Sequence, residues 1–437
     1  MIAASAVLGF ADETAADPQS DSPLSSDHPA KADVERAVAE FRKGQVQQAL
    51  NRLIATSDEH PDLAPGEVMF AQLALAAGRA EQAQAALQQA VVRHPQDPEA
   101  WNLLGRLAMS TGRLAEADLL FAKAQEVVSV YSANEDRRQQ QQVQATVGRA
   151  TVCERRGQWD AAADHLRRWI ELQPQNPAAR LRLAQALFRQ QEFQDAEQLL
   201  KEAHTLDDSQ LPAIVLMGQM YEQAGLLKEA ADAMQQASVM YPQELAVQLA
   251  VARWALTGAR QEILEQALER AAAIDADSDV LRALTAMAHR FQGRSKEAEE
   301  IFRTLLQESP ASFDASNGLA LSLLEQDDTE KHQQALQYAQ VNARSYQDLK
   351  SPRGRASAAT YAWALHRVGQ TPQATSMIQK VLTAGNVSPE VGYIAADILA
   401  AADRVDDAIK LLEASLASPA AFPQQDEARR LLARLKS

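Results

Sequence analysis

The chain has a single cysteine among 437 residues, Cys153, which excludes an internal disulfide and any cysteine-based metal site. Aromatic residues make up only 5%, and β-branched runs of strand length are scarce, so there is little from which to build a sheet. Basic charge is short as well. Against 58 Asp and Glu stand 43 Lys and Arg, a formal net charge of −15. Binding a polyanion draws on clustered Lys and Arg, so nucleic acid is not expected as the main partner. No stretch approaches the roughly 18 consecutive apolar residues that a membrane span needs, so no integral span is expected. What remains abundant is Ala, Leu, Gln, Glu and Arg, the strong helix formers, in a composition that is 46% apolar. An all-α fold follows.

The N-terminus differs from the rest. Ile2 to Phe10 is apolar, with small residues at Gly9 and Ala11, and resembles the end of a secretory signal cleaved after Ala11. No Lys or Arg precedes Lys31, so the basic part of such a signal is missing. Either the true start lies upstream or the segment is an apolar stub. The pattern favours export over a cytoplasmic location. Residues 12–30 are rich in Asp, Ser and Pro and read as a disordered linker.

From Lys31 onward one register repeats. Ala49, Ala83 and Ala117 follow one another at 34 residues, as do Ala162, Ala196 and Ala230, and again Ala374 and Ala408. Ala298 lies two periods beyond Ala230. Five residues before these alanines stand Gly44, Gly78, Gly112, Gly157, Gly225, Gly293 and Gly369, and twelve after them Pro61, Pro95, Pro174, Pro242 and Pro310. The physics of each landmark is local. Glycine ends a first helix because it takes positive φ in a tight turn. The alanine sits where two helices cross most closely, and the larger residue four positions on (Leu53, Leu87, Phe121, Leu200) fills the space on the same face. Proline stops the second helix.

A 34-residue period with these landmarks resembles the tetratricopeptide repeat. Trp101, Leu104 and Gly105 match its first helix, and Ala117 and Phe121 its second. The same unit departs at Ala108, where Tyr is usual, and at Ser129, where Pro is usual. The resemblance implies a right-handed superhelical solenoid of about eleven helix–turn–helix units over residues 31–423. A C-terminal capping helix is expected over 424–437, with Leu431, Leu432 and Leu435 packed inward and Arg429, Arg430 and Lys436 in water.

Two units are degenerate. One surrounds Gly258 and Leu268 and lacks the usual alanine; the other runs from about Ser312 to Gln347 with Ala335 as a shifted landmark. Two insertions break the spacing. The one around Tyr131–Gln144 reads either as longer flanking helices or as a docking loop. The other contains Lys350, Arg353, Gly354 and Arg355 and reads as a solvated loop rather than a binding site.

No catalytic residues, metal ligands or cofactor are expected. His60 and His94 occupy one repeat position, and His165, His204, His289, His332 and His366 are scattered, with no H-E-x-x-H pair. Cys153 takes a repeat position usually given to a buried Tyr and reads as a small buried hydrophobe rather than a reactive thiol. Gly293-Arg294-Ser295-Lys296 is a repeat turn lacking the other half of a phosphate loop. Function is therefore expected on the surface of the stack. The resemblance places the first helix of each pair along a concave groove. Projecting the register puts Arg42, Asn102, Arg106, Arg155, Gln185, Arg189, Gln219, Met287, Arg290, Trp363, Arg367 and Tyr393 there. Arg makes bidentate pairs with carboxylates and stacks on aromatics, so the expected partner is a peptide segment or helix of another protein. The competing reading is solvated charge paired with neighbours such as Glu154 or Glu222.

Two specialised versions of the family do not match. The chaperone-binding carboxylate clamp needs Lys and Asn where this chain has Val34 and Val38, then Val68 and Gln72, then Asn102 and Arg106. An asparagine ladder would need Asn where Glu35, Met69, Leu103, Gly148 and Arg182 stand. A non-catalytic subunit of a larger enzyme or envelope assembly is the alternative function, with an RNA-binding helical repeat behind it.

The register is testable at once. Ala117→Leu overpacks the helix crossing and is expected to cost ~1–3 kcal/mol. Unchanged thermal stability of that variant would show that the register is misplaced.

Overall fold

The computed structural model describes residues 28–437. The apolar segment 2–11 and most of the Asp-Ser-Pro stretch lie outside the described residues. The last residues of that stretch are packed: Ala30 is buried beside α1 and the His28 ring hydrogen-bonds the Asp62 carboxylate at 2.9 Å. Among the described residues there are helices and no strand. Two compact units divide between Ala213 and Ile214.

The first unit is built of five helix pairs. They are α1 (Lys31–Arg42) with α2 (Val46–Glu59), α3 (Gly66–Ala76) with α4 (Ala80–Arg93), and α5 (Pro98–Ser110) with α6 (Leu114–Val128). Then come α7 (Glu135–Arg155) with α8 (Trp159–Leu172), and α9 (Pro177–Arg189) with α10 (Phe193–Leu206). The second unit has α11 (Ala213–Gln223) with α12 (Leu227–Met240), α13 (Leu245–Thr257) with α14 (Gln261–Ile274), and α15 (Asp279–Phe291) with α16 (Ser295–Glu308). It continues with α17 (Phe313–Leu324) and α18 (Thr329–Ser345), α19 (Pro352–Arg367) and α20 (Thr371–Ala384), and α21 (Pro389–Ala401) and α22 (Val405–Leu416). A single helix, α23 (Gln425–Lys436), follows. It buries Ala428 and Leu431 and rests Leu432 and Leu435 against the core of the second unit, with Arg429, Arg430 and Lys436 exposed.

The landmark alanines do what their size suggests. Ala49, Ala83, Ala117, Ala162, Ala196, Ala230, Ala298, Ala374 and Ala408 are all wholly inaccessible, as is the shifted Ala335. The degenerate unit α13–α14 carries Leu264 at this register and buries it. Cys153 is buried, and that burial pushes its thiol up, away from the thiolate. Aromatic residues fill slots opened by glycine: the Phe121 ring lies so close to Gly105 and Gly148 that a Cβ at either would stand 2.8 or 2.5 Å from it.

First and second helices meet through one turn. In α3–α4, Arg79 N–H donates to the Ala74 carbonyl at 2.8 Å across Gly78, which sits at φ +71°. The same six-residue closure recurs where the repeat has lost its glycine. Gln191 (φ +66°), Ala259 (φ +53°) and Asp403 (φ +57°) adopt the left-handed conformation at the corresponding place. Packing of the flanking helices therefore imposes the turn, and glycine only makes it cheap. The turn between α17 and α18 is different: Asp328 caps α18 through its carboxylate, which accepts from Glu330 and Lys331 N–H, and the alanine landmark shifts with it.

Most of each insertion is helical. The first becomes the N-terminal part of α7, a helix of 21 residues capped by the Asn134 side chain. The second is not a solvated loop. Ser351 caps α19, Pro352 opens it, and the Arg353 guanidinium stacks over Phe313 and Tyr346 at 5.2 and 5.6 Å.

Turn strain can be measured in both directions. No atom lies within 4 Å of a Cβ added at Gly78, so Gly78→Ala is expected to cost ~1–2 kcal/mol from φ alone. Gln191→Gly is expected to gain up to ~1 kcal/mol by relieving the same strain. Opposite shifts of the urea denaturation midpoint would verify both; a loss in Gln191→Gly would show that the side chain stabilises the turn.

Candidate partner-binding faces

First helices of adjacent pairs pack on one another at α5 and α7 in the first unit and from α13 through α21 in the second. The projected residues lie on these helices and on the first helices α1, α9 and α11. The twelve separate into distinct environments. In the first unit, Arg42, Arg106, Arg155 and Arg189 are exposed and Gln185 is half-buried. Arg42, Arg155 and Arg189 all lie in the last turn of a first helix, and Arg367 does so in the second unit. A cation there complements the helix dipole, which is one physical reason for the placement. They are also held in position. Arg155 Nη1 donates to the Met109 carbonyl at 3.0 Å, and Arg189 lies over the Trp159 ring at 5.8 Å. The glutamates that would neutralise them are otherwise engaged. Glu154 pairs with Arg182 at 2.7 Å and Glu222 with Arg260 at 2.9 Å, where Arg260 also stacks on Trp254.

Asn102 is not on the surface. It is wholly inaccessible and donates from Nδ2 to the Gln141 backbone carbonyl and to Gln141 Oε1, at 3.0 and 2.9 Å. It ties α5 to the lengthened α7. That helix carries a residue the repeat register did not single out. Arg137 reaches back across two pairs, to Asp97 Oδ2 at 2.9 Å, Glu99 Oε2 at 2.8 Å, the Leu63 carbonyl at 3.1 Å and the Tyr131 hydroxyl at 2.5 Å. Burial pushes the Glu99 carboxyl above its ordinary value; Arg137 opposes the shift and Asp97 adds to it. Beside this cluster a cleft of about 580 Å³ opens between the inter-pair loops, lined by Pro61, Leu63, His94, Tyr131 and Arg137 among others. Glu67, buried nearby, pairs through Oε1 with Arg93, while Oε2 has no hydrogen-bond partner.

In the second unit, Met287 is partly exposed, and Gln219 is half-buried with its Oε1 unpartnered. The other four projected residues converge. Arg290 is buried and bridges Glu325 and Glu390, both at 2.6 Å. Trp363 and Tyr393 stack edge to face at 6.2 Å, and the Trp363 indole donates to Asp397 at 3.0 Å. Arg367 lies over the Trp363 ring at 5.6 Å and donates from Nη2 to the Leu324 carbonyl at 3.0 Å. Burial pushes the Tyr393 phenol up, so it stays neutral. Among the described residues no group of three or more His, Cys, Asp or Glu is placed to hold a metal ion, and no helix is long and apolar enough to cross a membrane.

A tetratricopeptide-repeat model matches residues 68–126 and 283–348, and a second model of the same repeat matches residues 155–203. Anaphase-promoting complex subunit 3 of Dictyostelium discoideum is 35% identical over 79 residues, 18% of this chain. The match spans only 8% of that relative's length. Among solved structures, the Cut9–Hcn1 hetero-tetramer of the anaphase-promoting complex is 13% identical with a TM-score of 0.43, over 93% of this chain and 97% of that one. Yeast Tom70 is 13% identical with a TM-score of 0.40, over 93% and 95%. The pilus biogenesis factor PilW is 20% identical with a TM-score of 0.35, over 50% and 96%.

The Arg137 cluster makes a pH-dependent prediction. Arg137→Met leaves two carboxylates buried without their cation and is expected to cost ~3–5 kcal/mol at neutral pH. A carboxyl whose folded pKa is raised stabilises the fold only while protonated, fully so below its unfolded value near 4.5. The deficit relative to the unaltered chain should therefore shrink as pH falls from 7.5 toward 5. Urea denaturation across that range checks the sign; a constant deficit would mean that Glu99 stays ionised.

Proposed function

We propose that this chain, a tetratricopeptide-repeat protein, is a non-catalytic scaffold that holds a segment or helix of another protein against the faces lined by its first helices. The observation that carries this reading is the set of exposed arginines in the last turns of α1, α7, α9 and α19. Arg155, Arg189 and Arg367 are oriented by carbonyl hydrogen bonds or aromatic rings rather than by carboxylates, so their ionic valence is left for a partner. In a chain of net charge −15 such a set favours an acidic or aromatic protein segment and disfavours a polyanion such as RNA. A second reading, non-catalytic subunit of a larger enzyme or envelope assembly, draws on the short match to a subunit of the anaphase-promoting complex.

In-cell crosslinking and affinity capture test the proposal. The intact chain is compared with an Arg155→Glu, Arg189→Glu double variant and, separately, with Arg367→Glu. All three substitutions are at exposed positions, where loss of the helix-end cation and its contact is expected to cost about 1 kcal/mol each, and thermal melts establish that the variants are folded. A protein captured by the intact chain and lost from the double variant supports the reading. Equal capture by all three chains would move binding to other surfaces and overturn it.

A further inference from the structure

The chain joining α22 to α23 does not stay beside those two helices. Ala421 N–H donates to the Thr257 carbonyl at 2.8 Å, at the C-terminal end of α13. The next residue, Phe422, is 3% exposed, with its ring centroid 6.3 Å from that of Tyr393 on α21. Gln424 is 4% exposed and donates from Nε2 to Glu325 Oε1 at 2.6 Å, with Glu390 Oε1 at 3.4 Å. Four consecutive residues thus engage α13, α21 and the C-terminal cap of α17. They also share two carboxylates with Arg290 of α15. Pro423 biases Phe422 toward extended backbone, as a strand laid across a row of helices requires. Three of the residues projected as partner-binding, Arg290, Trp363 and Tyr393, form or support this seat.

The seat is not satisfied by its occupant. Glu325, which is largely buried and also accepts from the Ser295 hydroxyl at 2.9 Å, and the partly exposed Glu390 share the single Arg290 guanidinium, so the cluster has one more carboxylate than cation. Gln424 faces it with a neutral amide, and the amide's own Oε1 is buried with no hydrogen-bond partner. A cationic side chain at this point would supply the missing charge and present no acceptor to orphan. We propose that this face of the second unit binds an extended partner segment bearing an aromatic residue with a Lys or Arg two positions later. Ala421–Gln424 is its built-in, weaker competitor. This rests on the reading of the first-helix faces as partner-binding; at this carboxylate seat the ligand is aromatic and basic, whereas the exposed arginines elsewhere favour an acidic one.

The test uses the full-length chain and two fluorescently labelled peptides. One is Ala-Ser-Pro-Ala-Ala-Phe-Pro-Gln-Gln, the chain's own 417–425 sequence. The other has Arg in place of its first Gln. The Arg peptide is expected to bind at least about ten-fold more tightly than the Gln peptide, and a version with Ala for Phe to lose binding. Gln424→Glu sets a third carboxylate against Glu325 and Glu390, loosens the internal segment and raises affinity for the Arg peptide. Gln424→Arg improves the internal segment and lowers it. Circular dichroism and thermal melts establish that both variants are folded. Equal affinity of the unaltered, Gln424→Glu and Gln424→Arg chains for the Arg peptide, or no binding by any of them, overturns the proposal. So does concentration-dependent dimerisation of Gln424→Glu without peptide uptake, which would give the face to a second copy of the segment. Capture that still depends on Arg155 and Arg189 of the first unit would leave the scaffold reading standing in either case.

Discussion

Everything in this chain depends on how closely two helices approach at one small residue. A wholly inaccessible alanine sets that distance in every second helix but α14, and, except between α17 and α18, a left-handed turn five residues earlier brings the helices to it. Once the approach is made, a large side chain one turn on enters the space between neighbouring first helices, as Phe121 does against Gly105 and Gly148. The turn is the more tolerant of the two devices. Gln191, Ala259 and Asp403 hold the left-handed conformation without glycine, because the packed helices on either side overdetermine it.

A stack bound only by apolar contacts would have no means of joining non-adjacent pairs. Each unit solves this with one largely buried arginine between two carboxylates. Arg137 draws Asp97 and Glu99 together with the loop at Leu63, and Arg290 draws Glu325 to Glu390. Such clusters are weak sources of net stability, since desolvation offsets most of the Coulombic gain. Their geometry is demanding, and that makes them specific: they fix which surfaces meet. In the second unit the same cluster receives the chain's own Gln424, so a structural device and a candidate ligand seat coincide.

Much of the fold was legible in the residue order. The 34-residue register, its glycines and its prolines located the pairs, including the degenerate ones around Leu268 and Ala335, because each landmark answers to a local requirement of turn or crossing. The candidate site was legible only in part. Projection chose Arg155, Arg189 and Arg367, which are exposed, and equally Asn102 and Arg290, which are buried. Register tells which side of a helix a residue faces, and not whether another segment covers that side. Arg137 went unnoticed for a related reason: its carboxylates lie some 38 and 40 residues earlier, at positions no periodicity connects to it.

The sequence by itself determined the helices, their pairing and the alanine crossings, all consequences of contacts between residues a few turns apart. Only the tertiary structure decided that most of each insertion is helix, that Arg353 stacks on Phe313 and Tyr346, and that Ala421–Gln424 crosses the second unit to Thr257 and Glu325. Those contacts join positions up to 164 residues apart, from Thr257 to Ala421. Where such a segment comes to rest depends on the charges and rings that the finished stack presents to it, and these do not exist until the helices have packed.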